Sequence, residues 1–490
     1  MHNSQGLEKV LSLRQEILAG DEKRLKEQRD AGKLTARERI AKIADAGSFV
    51  ELFALVSRND EGAGVVTGYA TIEERPVYLF AQDFTVRGGA MGQLQAAKIV
   101  KLLELAQKTG APVLAMMDSA GVRIDEGAQA LSAYSEIYQK MARMSGVCPM
   151  VALVLGPCIG GAALLSQLAD VSIVAEKVGQ LMVFGPQVMA AMNGAQVDAE
   201  KFGGAKVAAE TGACALTAAS EDEALLKARQ VLALLPSSNL EDTEFVDTDD
   251  MNRLLPAIDP ADADALLNAV ADQGTLVELY AAYEPSIKVA LARLGGSSVG
   301  LVAANGKLTA GALQKAARFV RFMDCYGIPV VSLLNTCGVE VNGVKEQSWL
   351  FKAQSQLLYA YAEATVPKVA VVTGDAIGQA YVAMGGKAMA DVTYAWPSAV
   401  ISALTPKAAV AVLYQDEVKA DKELSVEEAR AKYASEYVEN VAGCLNAAKQ
   451  GMVDDVIEPA KTRAMLISAL EMLMSKRDSN PPKKHGNLPM

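Results

Sequence analysis

The sequence predicts an α/β protein built from two homologous halves, and three observations carry that reading. "GAPVLAMMDSAGV" (110–122) recurs as "GIPVVSLLNTCGV" (327–339) at an offset of 217. "PMVALVLGPCIGGA" (149–162) recurs as "PKVAVVTGDAIGQA" (367–380) at an offset of 218. The second pair of blocks has an apolar run, then glycine, then a further apolar stretch, which is the strand–turn–helix unit of an α/β layer. Two matched blocks in one order at nearly one offset point to duplication.

A charged helical arm, "KRLKEQRDAGKLTARERIAKIAD" (23–45), comes first. Thr35 caps a helix opening at "ARERI", and Glu38 at its third position completes a capping box. Such an arm either packs on a neighbour or stays solvated. The arm is expected over 1–45 and the first domain over 46–255. Within that domain "PMVALVL" (149–155) reads as a buried parallel strand, "GPCIGG" as a turn and "AALLSQLAD" as the start of a helix. No charge falls between Arg143 and Asp170, a run long enough for a membrane span of about 20 residues. Pro149, Pro157 and the central glycines interrupt it, so a span is the minor reading. After "ALLKARQVLALLPSS" an acidic, proline-bearing stretch places the join near 250–260, and the second domain is expected over 256–490.

The 490 residues exceed one ordinary domain. The net charge of −11, with no long basic block, argues against a nucleic-acid surface. Six cysteines, Cys148, Cys158, Cys214, Cys325, Cys337 and Cys444, show no C-x-x-C pair and read as buried free thiols of a reducing, cytoplasmic compartment. The charged start has no signal-peptide core. Only His2 and His485 exist, both near the ends. A Ser-His-Asp triad, a Cys-His pair or a histidine-ligated metal would need one in the body of the fold. Walker A and G-x-G-x-x-G loops are absent too.

The glycine turns suit a chain without a central histidine. The first amides of a helix have no partner within it, and the helix dipole adds positive potential there. Glycine lets a ligand approach that backbone. A donor placed where negative charge develops can lower a barrier by roughly 3–4 kcal/mol. "CIGGA" and "AIGQA" therefore read as two anion holes. The plainer alternative is glycine kept for close helix–strand packing.

Taken together, several stretches resemble the carboxyltransferase subunits of biotin-dependent acyl-CoA carboxylases and decarboxylases, which include propionyl-CoA carboxylase β chains and methylmalonyl-CoA decarboxylase α subunits. They are "GKLTARERI" (32–40), "GVVTGYATI" (64–72), "FAQDFTVRGGAMG" (80–92), "DSAGVRIDEG" (118–127), "SGVCPMVALVLGPCIGGA" (145–162), "YAYAEATVPKV" (359–369) and the tail "PPKKHGNLPM" (481–490). The resemblance implies two crotonase-like βα-superhelix domains, a homo-hexamer arranged as a trimer of dimers, and an active site between the N-half of one protomer and the C-half of another. It implies that the amides of Gly160 and Gly161 hold the enolate oxygen of an acyl-CoA thioester, and that those of Gln379 and Ala380 hold the ureido oxygen of biotin, with Ala162 and Gly378 beside them. Substrate then supplies the base. Gly88, Gly89, Gly121 and Arg123 resemble residues lining the CoA side, although turn geometry and a paired arginine explain them equally well.

The biotin is implied to ride on a separate carrier protein, since no "AMKM"-type sequence occurs. A biotin carboxylase or a membrane decarboxylase subunit is the implied further partner, which would make the location cytoplasmic or peripheral to a membrane complex. The second half departs more from the family than the first. "AIGQAY" stands for the family's "AYGGAY", "NTCGV" (335–339) for "DVPGF", and "SWLFKAQSQ" (348–356) for a glycine-rich segment. Val382 stands where many propionyl-CoA carboxylases have aspartate, and an aliphatic there is closer to the decarboxylase branch. Two rivals follow. One is a crotonase-type hydratase or hydrolase using Asp125 and Glu126 to activate water. The other is a non-catalytic assembly partner with a decayed biotin site.

Overall fold

The computed structural model describes residues 2–58, 61–194, 196–247 and 249–489. The chain folds as two compact units, Met1–Asp242 and Thr243–Met490. The acidic stretch expected to hold the join lies within the second unit. Val246 N–H donates to Gly296 O at 3.0 Å and Leu255 N–H to Ala460 O at 2.8 Å. Leu255 also packs into the core with Leu266, Leu301 and Leu466. The division therefore falls earlier than composition placed it.

Each unit is built on one eight-stranded sheet. In the first the order is Val50–Leu52, Val65–Ile72, Arg75–Gln82, Val113–Ser119, Met150–Ile159, Val171–Ala175 and Leu216–Ala218, with Gln180–Met182 added along the end of Met150–Ile159. In the second it is Val277–Leu279, Ile287–Leu294, Ser297–Leu308, Val330–Val339, Lys368–Ile377, Val392–Ala395 and Asp455–Val456, with Val400–Ser402 added along the end of Lys368–Ile377. In both, the first three strands pair antiparallel and the rest parallel. The sequence repeat is thus a repeat of topology. Parallel strands covered on both faces read as continuous apolar runs, and every residue of Val113–Ser119 is buried. Ile99, Leu103, Ile137 and Leu165 pack over that strand's neighbours.

The strand Met150–Ile159 outruns the expected 149–155, because Pro157, Cys158 and Ile159 pair with Gln180, Leu181 and Met182. Only Gly160 is left as the turn, at φ +62, and the helix Gly161–Leu168 follows. The pairing of Val113–Ser119 with Met150–Ile159 shifts register between Met117 and Ser119. A side chain at Gly156 would overlap the Asp118 carboxylate, which fills that irregularity. The second unit repeats it: register shifts between Leu334 and Thr336, and Gly374 faces the Asn335 amide. The "uncharged run" is therefore a strand and a helix. Among the described residues no helix is long and apolar enough to cross a membrane.

The arm forms the helices His2–Ala19, Glu22–Asp30 and Ala36–Ile43. The expected capping box is present, with Glu38 N–H donating to Thr35 Oγ1 at 3.3 Å and Thr35 N–H to Glu38 Oε2 at 2.8 Å. The arm packs on its own unit. Arg39 is fully buried and donates to Glu221 Oε2 (2.8 Å), Asp118 Oδ2 (3.0 Å) and Leu155 O (2.8 Å). Lys33 Nζ reaches Asp118 Oδ1 at 2.7 Å. All six cysteines are free thiols. Four are buried, Cys337 is half-buried and Cys325 is exposed.

Candidate active site

The first glycine turn does not present its amides as the sequence suggested. Gly160 N–H donates to Met182 O at 2.8 Å, so the protein's own carbonyl takes it. Gly160 instead supplies the left-handed turn that aims the next residue. Gly161 N–H opens the helix Gly161–Leu168, whose first turn offers it no acceptor.

A second donor comes from a residue not singled out for this role. Met91 N–H donates to Gly121 O and Arg123 N–H to Met91 O, both at 2.8 Å. In a parallel ladder one residue bonds to the two neighbours of its partner. Val122 is that partner, so its own N–H faces away from Met91. Val122 and Gly161 line one cavity of about 680 Å³ together with Leu131, Tyr134, Tyr138 and Leu164. Its walls are mostly apolar. In this turn the Gly160 N–H is thus taken by Met182, while Val122 and Gly161 line the cavity together.

Both tyrosines serve the hole's backbone. Tyr138 Oη donates to Gly161 O at 3.0 Å and Tyr134 Oη to Gly121 O at 3.2 Å. The Ala162 amide faces the Tyr134 hydroxyl, and burial pushes that phenol's pKa up, so it stays protonated. The rings stack with centroids 5.6 Å apart. Ala162, expected beside the ligand, is fully buried.

The second unit repeats the first closely. Gly378 turns at φ +70 and Gln379 follows, exposed, in the first turn of the helix Gly378–Gly385. Ala380 is buried beneath it. Leu308 pairs with Val339, and Glu340 N–H donates to Leu308 O at 2.9 Å, so Val339 stands as Val122 does. Gly338 at φ +103 matches Gly121 at φ +111. Gly338 N–H donates to Thr336 Oγ1 at 3.2 Å, as Gly121 N–H does to Ser119 Oγ at 3.2 Å. The drifted segment 335–339 keeps the backbone of its counterpart, which weighs against a decayed site.

The residues expected on the CoA side converge, but mostly on protein. Ala120 N–H donates to Gly88 O at 2.8 Å, and a side chain at Gly89 would overlap Asp118 O. Gly121 is buried and spends its N–H on Ser119. Arg123 turns inward, 8% exposed, with Nε donating to Ala90 O at 3.2 Å and Nη1 3.6 Å from Glu126 Oε1. These residues brace the strand end that carries Val122. The carboxylates of the hydratase reading are committed as well. Asp125 pairs with Arg87 at 2.8 Å, and Glu126 caps the helix Gln93–Thr109 by accepting Gln93 N–H at 2.8 Å. Among the described residues no group of three or more His, Cys, Asp or Glu side chains is arranged to hold a metal.

Val122 was visible in the repeat, since it recurs as Val339, but only the pairing with Met91 reveals its free amide. Tyr134 and Tyr138 carried a weaker signal: i,i+4 spacing on one helix face.

A family profile described as the carboxyl transferase domain matches residues 27–488. The chain is 39% identical to the methylmalonyl-CoA decarboxylase subunit alpha of Veillonella parvula, over 96% of each chain. It is 38% identical to the propionyl-CoA carboxylase, carboxyltransferase subunit, of Haloferax mediterranei, over 99% of each. Among solved structures, a transcarboxylase 12S hexamer with methylmalonyl-coenzyme A and methylmalonic acid bound superposes with a TM-score of 0.93, at 38% identity over 99% of this chain and 98% of that one.

Proposed function

Since this chain belongs to the carboxyl transferase domain family, we propose that it is the carboxyltransferase subunit that moves a carboxyl group between biotin on a separate carrier and a short-chain acyl-CoA, methylmalonyl-CoA/propionyl-CoA first. The observation that supports this most is the pair Val122 and Gly161, two main-chain donors opening on one cavity. They hold the thioester oxygen as it becomes an enolate oxygen, and their fixed placement needs no reorganisation when the charge appears. The cavity's mostly apolar wall, with Leu131 and Leu164 on it, offers contact to the acyl group.

The second unit fits biotin on the chemistry of its donors: the Gln379 amide at a helix start and Val339 at a ladder end are neutral N–H groups suited to a ureido oxygen. Biotin, when bound, carries the carboxyl group and supplies the base. Gln379 narrows the approach with its side chain but donates through its backbone as a glycine would. A homo-hexamer and a carrier protein complete the reading, supported by the hexamer of the similar transcarboxylase 12S.

Purified protein is incubated with methylmalonyl-CoA and free biotin, and propionyl-CoA is quantified by chromatography. Biotin-stimulated decarboxylation is expected. A folded protein that turns over no short acyl-CoA, or one that hydrates crotonyl-CoA instead, would reject the proposal.

A further inference from the structure

We infer that Tyr134 is a positioning residue that ties the two walls of the first hole together and strengthens the Val122 N–H as a donor. The inference rests on the proposed function only in assigning Val122 and Gly161 to the thioester oxygen.

The route rests on two hydroxyl–carbonyl hydrogen bonds, one at each wall. Tyr138 Oη donates to the Gly161 carbonyl. The Tyr134 ring packs directly against the same turn, where a side chain at Gly161 would lie 2.7 Å from its Cζ. Tyr134 Oη donates to the Gly121 carbonyl, and the far end of that peptide group is the Val122 N–H. An amide whose carbonyl accepts a hydrogen bond is polarised and donates more strongly, by about 10–30% per bond in condensed phase. The Gly121 carbonyl accepts from Met91 N–H at 2.8 Å, Tyr134 Oη at 3.2 Å and Ser119 Oγ at 3.3 Å. Val122 thus carries the N–H at the end of the polarised Gly121 peptide group and lines the cavity with Gly161.

Among the described residues no tyrosine hydroxyl is bonded to the matching Gly338 carbonyl of the second unit. That carbonyl accepts Thr336 Oγ1 at 3.2 Å. The device therefore belongs to the acyl-CoA side.

The test is a double-mutant cycle on the full-length protein in the methylmalonyl-CoA assay with free biotin. Tyr134→Phe keeps the ring and removes the hydroxyl. It is expected to lower kcat about 10-fold with KM within about 2-fold, the signature of an interaction gained in the transition state. Tyr138→Phe is expected to lower kcat about 3-fold, and the double variant no further than Tyr134→Phe, because the tie between the walls is already cut. The infrared carbonyl stretch of bound propionyl-CoA, labelled with ¹³C at the thioester, should lose part of its red shift in Tyr134→Phe. An unchanged kcat in Tyr134→Phe, or single effects that multiply, overturns the inference while the wild-type turnover upholds the function. A wild type inert to every acyl-CoA rejects the function instead, and the carbonyl stretch still reads the donor. If Tyr134→Phe does not fold, Tyr138→Phe and Ser119→Ala test the same carbonyls, each expected at about 3-fold in kcat, and no effect of either overturns the inference.

Discussion

Replacing each glycine of the first turn by alanine separates what the sequence merges. At Gly161 a methyl group would lie 2.7 Å from Tyr134 Cζ and Tyr138 Oη and 2.8 Å from Tyr134 Cε1. Carbon atoms in good contact sit about 3.5–4.0 Å apart, so the rings must retreat by about 1 Å. Tyr134 is 4% exposed and held in the core, and overpacking of this kind costs about 1–3 kcal/mol. The retreat also shifts the Gly161 N–H and breaks the Tyr134 bond to Gly121. Losing one donor of an anion hole lowers kcat about 10²–10³-fold. At Gly160 the methyl group meets only Val183 O at 3.6 Å, an ordinary contact. The cost there is conformational: φ is +62 with ψ −121, a combination essentially reserved for glycine, and holding another residue there costs about 1–3 kcal/mol. Its N–H remains on Met182. The two variants should therefore lose similar stability, each a few degrees in Tm, while their turnover differs about 100-fold. Thermal unfolding and the methylmalonyl-CoA assay measure both. A Gly160→Ala variant that folds but is inactive, beside an active Gly161→Ala, would refute the assignment of the donors.

In the second unit, Gln379→Pro removes an N–H at a helix start that tolerates proline, whereas Gln379→Ala keeps it. Biotin-dependent turnover should fall about 10²-fold in the first and stay within about 2-fold in the second; equal behaviour would exclude the amide. Arg39→Met strands Asp118 and Glu221 with Lys33 as the remaining cation of the cluster, and urea unfolding should register a loss of about 3–5 kcal/mol. Lys98 and Lys315, duplicates at the offset of the repeat, are both held down to about 8 by burial. Unfolded lysine titrates near 10.4, so between those values the unfolded chain binds more protons and stability rises with pH. The wild type should gain on Lys98→Met/Lys315→Met from pH 8 to about 10, by at most about 3 kcal/mol per lysine. A constant difference in urea midpoint across that range would contradict it.

What could be read from the chain was local or repeated. The capping box at Thr35 and Glu38 depends on residues three apart, and the duplicated strands announce themselves by shared apolar runs and glycines. Gly156 and Gly374 recurred for a reason that only packing discloses: each makes room for the side chain at 118 or 335. The proposed donor set was half legible. Gly161 and Gln379 follow from a strand–turn–helix pattern, but the fate of the Gly160 amide depends on Met182, which pairs across the sheet. The proposed role of Val122 depends on Met91, which bonds to both its neighbours and leaves its N–H unused in that pairing. Arg123 offered no sign of which way it points, and burial against Ala90 decided it.

Asp118 and Asn335 occupy one structural address in two copies of a fold, yet only the acid is bonded to the amino-terminal arm, through Lys33 and Arg39. Shortening the chain before Ala41 would remove both cations from Asp118 and leave the contacts of Asn335 with Pro260 and Asn305 in place. The duplicated halves have thus become unequal in what they depend on: one draws its integrity from a leader segment, the other carries a neutral amide that needs no such escort.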